Sequence, residues 1–526
     1  MNLFGPLFAL YLRRVGRRLR RMDADPGGIQ RRTLAALLGR ARNTWFGRRH
    51  GFASLRGHAD FAKAVPIADY VANIDMYRRI IGGEPDVSWP GRVGLFARTS
   101  GTTAGDKWVP VTDGLRRGCV RAVTAMFAYN ERQSPGLVSR LLAGRMLYLT
   151  APTVQTPMEA GGRVGHMSGI AAHWVPWPGS RRYEPGFALA DVADWEERIG
   201  LMARHLVGRD VRWATGIPPW VRVLFDRACQ AAGVPTEGGL SRVWPNLEVY
   251  VHGGTSLEPY RATFDRYFRP GHRVRYQEVY PASEGFIAVQ PRFDEPGMAV
   301  MCDGGLFYEF VPLAEWGKAD APRLPIHEVE RGVPYCVVLS SNAGLWAYDL
   351  GDVVRFVSVR PPRILFHGRH MHTLNAFVEH VGGHEVGRAV AAAAEATGAR
   401  VVEFTVAPVC LEGRRLGAHE YVVEFERMPD GGLPAFAQAA DASLRSSNTL
   451  YALNRTHDFT MAGPVITPVP RGTFMEWMKR RGKLGEQNKV PTCVSDRRFA
   501  DAVLAVAAER GVGRAAAGPA TPEGDR

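Results

Sequence analysis

Apolar positions recur at three- and four-residue steps in some stretches of this chain and crowd into short β-prone runs in others. Helical spacing covers 196–206, 217–232 and 385–397, and in the lead-in it joins Leu34, Leu37, Leu38 and Ala41. Runs 145–151, 247–252, 273–279, 305–311 and 335–339 predict strands, as do 353–359 and 363–367 around Pro361 and Pro362, then 401–406 and 420–425. Strands interleaved with helices predict an α/β fold. A boundary is expected near His367, giving a domain over 1–366 with a basic helical lead-in at 1–50, and a second over 367–510. Residues 511–526, small and aperiodic, predict a disordered tail. No internal repeat is evident.

Leu3, Leu7, Tyr11, Val15, Leu19 and Met22 share one helical face, with Arg13, Arg14, Arg17, Arg18, Arg20 and Arg21 on or near the other. The apolar stretch 3–12 is about half of what spans a bilayer, and its arginines follow it, so neither a transmembrane helix nor a signal peptide is predicted. Two readings stay open: a first helix packed on its domain, or peripheral membrane contact through an interfacial helix.

With 46% hydrophobic and 22% charged residues the 526-residue chain is long enough for a sizeable core and excludes wholesale disorder, collagen and a multi-span membrane protein. The formal charge is +14, but residues 1–50 hold twelve arginines against Asp23 and Asp25, so the basic excess is local and nucleic-acid binding is not expected. The six cysteines show no C-x-x-C spacing, which fits a reducing, cytoplasmic setting and buried packing roles. Only Lys63, Lys107, Lys318, Lys479, Lys483 and Lys489 are lysines. Where arginine supplies most of the charge, a retained lysine points to a need for a compact, movable ammonium.

Three segments carry candidate chemistry. In 99–107, Ser100, Gly101, Thr102, Thr103 and Lys107 can form a tight loop whose amides, hydroxyls and ammonium converge on phosphate oxygens; the alternative is a polar Gly/Thr turn. The glycine spacing, and Trp108 after the lysine, exclude a Walker A loop. In 280–285, Tyr280 could stack on a base and Glu284 suits a Mg²⁺ that also bridges phosphate, although Ser283 could equally cap a helix there. Gly351-Asp352 presents a carboxylate able to accept two hydroxyls, or forms a hairpin turn. His367, His370 and His372 cluster without carboxylate or cysteine support and do not predict a metal site. The stretch 165–178, with His173, Trp174 and Trp177, is ordinary packing or an acyl-pocket wall.

Together, in this order, the three segments resemble the adenylate-forming enzymes. With Trp45-Phe46-Gly47, residues 65–70 and 96–112, and Gln487-Asn488-Lys489-Val490-Pro491, the chain from about 25 to about 510 is similar to the Gretchen Hagen family of auxin-responsive acyl acid amido synthetases, in a bacterial-type form. That resemblance implies a large adenylate-forming domain and a small mobile α+β C-terminal domain. It implies that ATP and a carboxylic acid give an acyl-adenylate, from which an amine, usually an amino acid, displaces AMP.

It further implies a phosphate loop at Ser100, Gly101, Thr102, Thr103 and Lys107, and Glu284 as the Mg²⁺ and phosphate-contacting acid. Gly253, Gly254 and Thr255 would flank adenine with Tyr280, and Asp352 would hold the ribose. Arg369 would stand at the start of the mobile domain, and Lys489 would reach the α-phosphate. A monomer is expected. The sequence departs from the family at Ala104-Gly105-Asp106 and at Asp349, which stands where an arginine is usual; the ATP site is expected to survive both. Two alternatives remain: an acyl-CoA or acyl-carrier ligase using the same adenylate, and a non-catalytic nucleotide- or membrane-binding protein.

Overall fold

The computed structural model describes residues 4–99, 107–175, 179–370, 373–374, 376, 379, 381–410, 417–455, 461–485 and 489–511. Residues 512–526 of the expected tail lie outside the described residues. The chain divides into two units. The larger comprises Met1–Leu257, Arg261–His370 and Gly485–Lys489; the smaller comprises Glu258–Tyr260, Met371–Leu484 and Val490–Arg526.

In the larger unit, twelve strands form one mixed sheet. Arg145–Tyr148, Val211–Gly216, Val249–Gly253 and Arg275–Ala282 pair in parallel, the helices Trp195–Leu206 and Pro218–Ala231 lying between them in the chain. From Arg275–Ala282 onward the order continues antiparallel through Gly285–Val289, Met298–Val300, Pro362–Arg369, Tyr348–Val359, Pro334–Ser341 and Leu306–Pro312. A separate four-stranded sheet contains the hairpin Leu95–Thr99 and Lys107–Pro110. Each predicted strand and helix is present. The strands often extend beyond their predicted ends, because tertiary pairing recruits neighbours of weak propensity such as Pro281-Ala282 and Asp349–Asp352.

The helix Phe4–Ala24 packs on its own unit. Leu12, Val15, Leu19 and Met22 are buried and Phe8 meets Phe127 edge-on, while Arg13, Arg14, Arg17, Arg20 and Arg21 are exposed. Tyr11 departs from the predicted face: it is 51% exposed, and Leu12 takes the buried position. Among the described residues no helix is long and apolar enough to cross a membrane. The helix Pro26–Ala41 is tied to the sheet by Gln30, whose Nε2 donates to Cys302 O and Leu306 O while its Oε1 accepts from Tyr308 N, all at 2.8 Å. A second buried network holds the strand Arg275–Ala282: Asn130 donates to Gln277, whose amide donates to Gln290 O.

The smaller unit packs the helices Gly383–Thr397 and Gly432–Ser447 with the three-stranded sheet Arg400–Cys410, Gly417–Arg427 and Val465–Val469. Val386, Ala389, Val390 and Ala393, at three- and four-residue steps, supply the buried face of the first helix. Gly398 ends it in a left-handed conformation at φ 62°, where a glycine costs least. Five cysteines are buried as expected; Cys410, at the end of its strand, is exposed instead.

Candidate functional site

The antiparallel pairing of Tyr348–Val359 with Pro362–Arg369 sets Asp352 directly opposite Arg369. Arg369 Nε donates to Asp352 Oδ1 at 2.9 Å, and Tyr280 Oη donates to Asp352 Oδ2 at 2.5 Å. Asp352 is 6% exposed. A buried carboxylate with one guanidinium and one phenol aimed at it is fixed in orientation, and those charge-assisted bonds are stronger than neutral ones. The local turn reading of Gly351-Asp352 is therefore corrected: both lie inside a strand that begins at Tyr348, with Gly351 at φ 82°. Asp349, the residue at the usual arginine position, accepts from His370 Nε2 at 2.9 Å and from Gly351 N at 2.8 Å. It thus braces the stretch that carries Asp352 and Arg369.

Glu284 occupies the two-residue turn Ser283-Glu284 between Arg275–Ala282 and Gly285–Val289, so no helix is capped there. Burial raises its pKa above the ordinary carboxylate value; Asp352 adds to the rise, while Arg369 and Lys107 oppose it. These couplings place Glu284 in the same charge cluster as Asp352, Arg369 and Lys107. Lys107 opens its strand opposite Thr99. The intervening Ser100, Gly101, Thr102 and Thr103 lie outside the described residues.

Gly253 ends the strand Val249–Gly253, and Gly254 follows at φ 83°. A Cβ at Gly253 would lie 2.4 Å from Val279 O; one at Gly254 would lie 2.7 Å from Lys489 Nζ. Backbone packing thus requires glycine at 253 and the left-handed φ favours it at 254, where the end of the Lys489 side chain lies against the backbone. Thr255 continues the bend. Lys489 keeps exposed surface, yet loss of water around its ammonium, together with Arg369, pushes its pKa down to about 8, with Asp352 opposing. Gln487 and Asn488 lie outside the described residues.

Several neighbours were not singled out by motif. Tyr77 and Tyr348 both sense the charge of Glu284, Tyr70 stacks on Tyr77 at 4.3 Å, and Tyr70 Oη accepts from Trp108 N at 3.3 Å. Ala68 bridges to Tyr348, which brings residues 65–70 of the lead-in to the site. The only sequence signal was that stretch's place in the family-like text. His252, just before Gly253, is buried and its pKa falls to about 3, through desolvation first and Arg261 second, so it is a neutral imidazole.

Among the described residues no group of three or more His, Cys, Asp or Glu gathers as a metal cage. His367 and His370 join no such group, and His372 lies outside the described residues. A lone turn carboxylate whose charge is disfavoured by burial does fit Mg²⁺ arriving with a nucleotide, since that ion takes one or two carboxylates plus phosphate oxygens. His173 stacks on Phe187 at 4.6 Å, consistent with packing, and Trp174 lines a cavity described below; Trp177 lies outside the described residues.

The GH3 family N-terminal domain matches residues 16–207, the central domain 299–369 and the C-terminal domain 384–498. Indole-3-acetic acid-amido synthetase GH3.8 of Oryza sativa subsp. indica is 32% identical over 285 residues, 49% of this chain and 45% of that protein. Probable indole-3-acetic acid-amido synthetase GH3.1 of Oryza sativa subsp. japonica is 24% identical over 90% of this chain and 88% of its own. The chain spans about half the length of the first of these relatives. Among solved structures, GH3.15 acyl acid amido synthetase shares the fold with a TM-score of 0.74 at 18% identity, covering 93% of this chain and 95% of that one. 2-Hydroxyisobutyryl-CoA ligase shares it more distantly, at 0.57 and 12%, over 91% of each.

Proposed function

This chain belongs to the GH3 family, and from that premise we propose that it is an ATP-dependent acyl acid amido synthetase. It activates a carboxylic acid as an acyl-adenylate and transfers the acyl group to an amine, an amino acid being the expected acceptor. The observation that carries this reading is the convergence of Lys489, far along the chain, on Gly254 beside the Asp352–Arg369 pair. A binding module has no need to bring a late, movable ammonium into such a cluster.

In the first step a carboxylate oxygen attacks the α-phosphorus of ATP, the bond to the bridging oxygen breaks, and pyrophosphate leaves. Two anions must approach, so positioning and charge neutralisation dominate the barrier. Asp352, held by Tyr280 and Arg369, is assigned the ribose hydroxyls; Gly253, Gly254 and Thr255 flank the adenine with Tyr280. Lys107 and the loop 100–103 take the outer phosphates, and Lys489 neutralises charge at the α-phosphate. Glu284 would hold Mg²⁺, which when bound supplies Lewis-acid neutralisation of the phosphates. In the second step the amine nitrogen attacks the acyl carbonyl and AMP leaves. On this reading the C-terminal region is the mobile one, and the division of the chain at His370 and Met371 supports a hinge within 367–371.

The test is product identification. The full chain is incubated with ATP, Mg²⁺, a panel of aromatic, indolic, benzoic and fatty acids, and either the twenty amino acids or coenzyme A, and products are read by mass. The expected outcome is an N-acyl amino acid with one AMP per amide. A thioester formed in preference to any amide would overturn the assignment in favour of an acyl-CoA ligase.

A further inference from the structure

A cavity of about 740 Å³ opens in the larger unit among the helices Pro26–Ala41 and Asp113–Gln133, the approach to the strand Leu95–Thr99, and the turn at Asp303–Gly305. Its volume falls in the range of small-molecule sites. Five arginines from three parts of the chain line it: Arg40, Arg92, Arg116, Arg117 and Arg121. Against them stand two acids, Asp113 and Asp303. Asp303 is engaged by Arg18 at 3.1 Å, and Asp113 pairs with Arg116 only at 3.4 Å.

Arg92 and Arg121 donate to the backbone oxygens of Ala160 and Asp303. Arg40 lies 5.9 Å from the Trp89 ring centre. Among the described residues, Arg40, Arg92, Arg117 and Arg121 have no carboxylate partner. Like charges gathered around one concavity repel. Isolated surface arginines serve solubility, but their convergence on a concave wall is what an oxyanion requires, because the guanidinium fork matches carboxylate and phosphate oxygens two at a time. The rest of the lining mixes Trp89, Trp174 and Leu37 with the polar Thr33, Thr112 and Asn342.

This cavity is not the nucleotide site. It takes in Leu95 and Val111, which join the open end of the hairpin through Val111 N and Leu95 O at 2.8 Å. Lys107 pairs with Thr99 at the other end, four residues away, about 13 Å at the strand rise. The cavity therefore lies at the end of the hairpin opposite Lys107.

We propose that the cavity is a second binding site, for a dianionic oxyanion carried on an aromatic ring, such as an aryl phosphate or an aryl dicarboxylate. The arginines take the charge and the tryptophans take the ring. Nothing in this depends on the reaction proposed above, and its test needs no turnover.

The experiment is calorimetric titration of the full chain with phenyl phosphate, with phthalate, inorganic phosphate and phenol as separate arms. Phenyl phosphate or phthalate should fill one saturable site at least tenfold more tightly than inorganic phosphate or phenol, and the better of the two identifies the oxyanion. Arg40→Gln with Arg117→Gln, in a chain whose melting temperature is unchanged, should weaken that binding at least tenfold. Asp352→Ala, in the other site, should leave it within twofold. Absence of saturable binding, equal affinity in the double variant, or loss in the Asp352 variant would each overturn the proposal.

Discussion

Gly254 meets Lys489 so closely that a methyl group on its Cα would lie 2.7 Å from Nζ and 2.9 Å from Cε. The glycine is set by its φ of 83°, and the end of the Lys489 side chain lies against it. Gly254→Ala should push Lys489 from the site, and a displacement of that order costs roughly a hundredfold in rate when the displaced group is catalytic. Adenylation should fall by about that factor while ATP affinity falls far less. Single-turnover rates beside equilibrium ATP binding separate the two; equal losses in both would show that the substitution merely distorts the nucleotide pocket.

Desolvation, and after it Arg369, push the pKa of the Lys489 ammonium down from 10.5 to about 8. The group is cationic below that value and neutral above it, so the charge neutralisation proposed for it at the α-phosphate should be present at pH 7 and lost as pH rises through 8. The kcat/KM for ATP should descend with a limb near pH 8, and the kcat limb should lie higher because bound phosphates favour the charged form. In Lys489→Ala the rate should be low and this limb absent. A limb near 8 that persists in the variant would assign it to another group.

Tyr280 and Arg369 hold one carboxylate from two sides. Asp352→Asn keeps the shape and removes the charge; a hydrogen bond to a charged group contributes roughly 1.5–3 kcal/mol, so ATP binding should weaken by about ten- to a hundredfold. Tyr280→Phe leaves the charge and should cost less. Binding of a non-hydrolysable ATP analogue checks the order; a larger loss for Tyr280→Phe would shift the main contact from the ribose acid to the aromatic ring.

Stability has a different weak point. Gln30 is 1% exposed and satisfies two carbonyls and one amide of the segment 302–308. Gln30→Ala strands three buried backbone groups, at roughly 1–3 kcal/mol each when no water replaces the side chain. The denaturation midpoint should fall clearly, and at least as far for Gln30→Glu, whose carboxylate can accept from Tyr308 N but sets a buried acceptor against the carbonyls of Cys302 and Leu306. Unchanged unfolding in the alanine variant would mean that water enters the gap.

Much of this site was legible because its groups sit in short local patterns. Glu284 lies beside a strand end and Asp352 just ahead of the run 353–359, both marked by the β-prone pattern, and Lys107 and Lys489 stood out in a chain that otherwise uses arginine. Local reading left Ser283-Glu284 open between a carboxylate at a strand end and a helix cap, because a two-residue connection and a first helical turn favour the same residues. Pairing with the following strand decides it. The approach of Tyr77 and Tyr348 to Glu284, and of Asp349 to His370, was not legible, since these contacts depend on tertiary packing. Tyr11 and Leu12 show the finer limit: a helical stripe two residues wide does not say which neighbour is buried until the helix meets its partner.

The central claim is that this cluster adenylates a carboxylic acid, and acid-dependent exchange of labelled pyrophosphate into ATP tests it without knowledge of the acceptor. Exchange should require one of the acids in a panel of aromatic, indolic, benzoic and fatty acids, and should fall at least a hundredfold in Lys489→Ala and in Glu284→Ala, the latter little rescued by excess Mg²⁺. Acid-dependent exchange at the wild-type rate in either variant would contradict the roles assigned here. No exchange with any acid, in a chain that binds ATP, would contradict the adenylation claim itself.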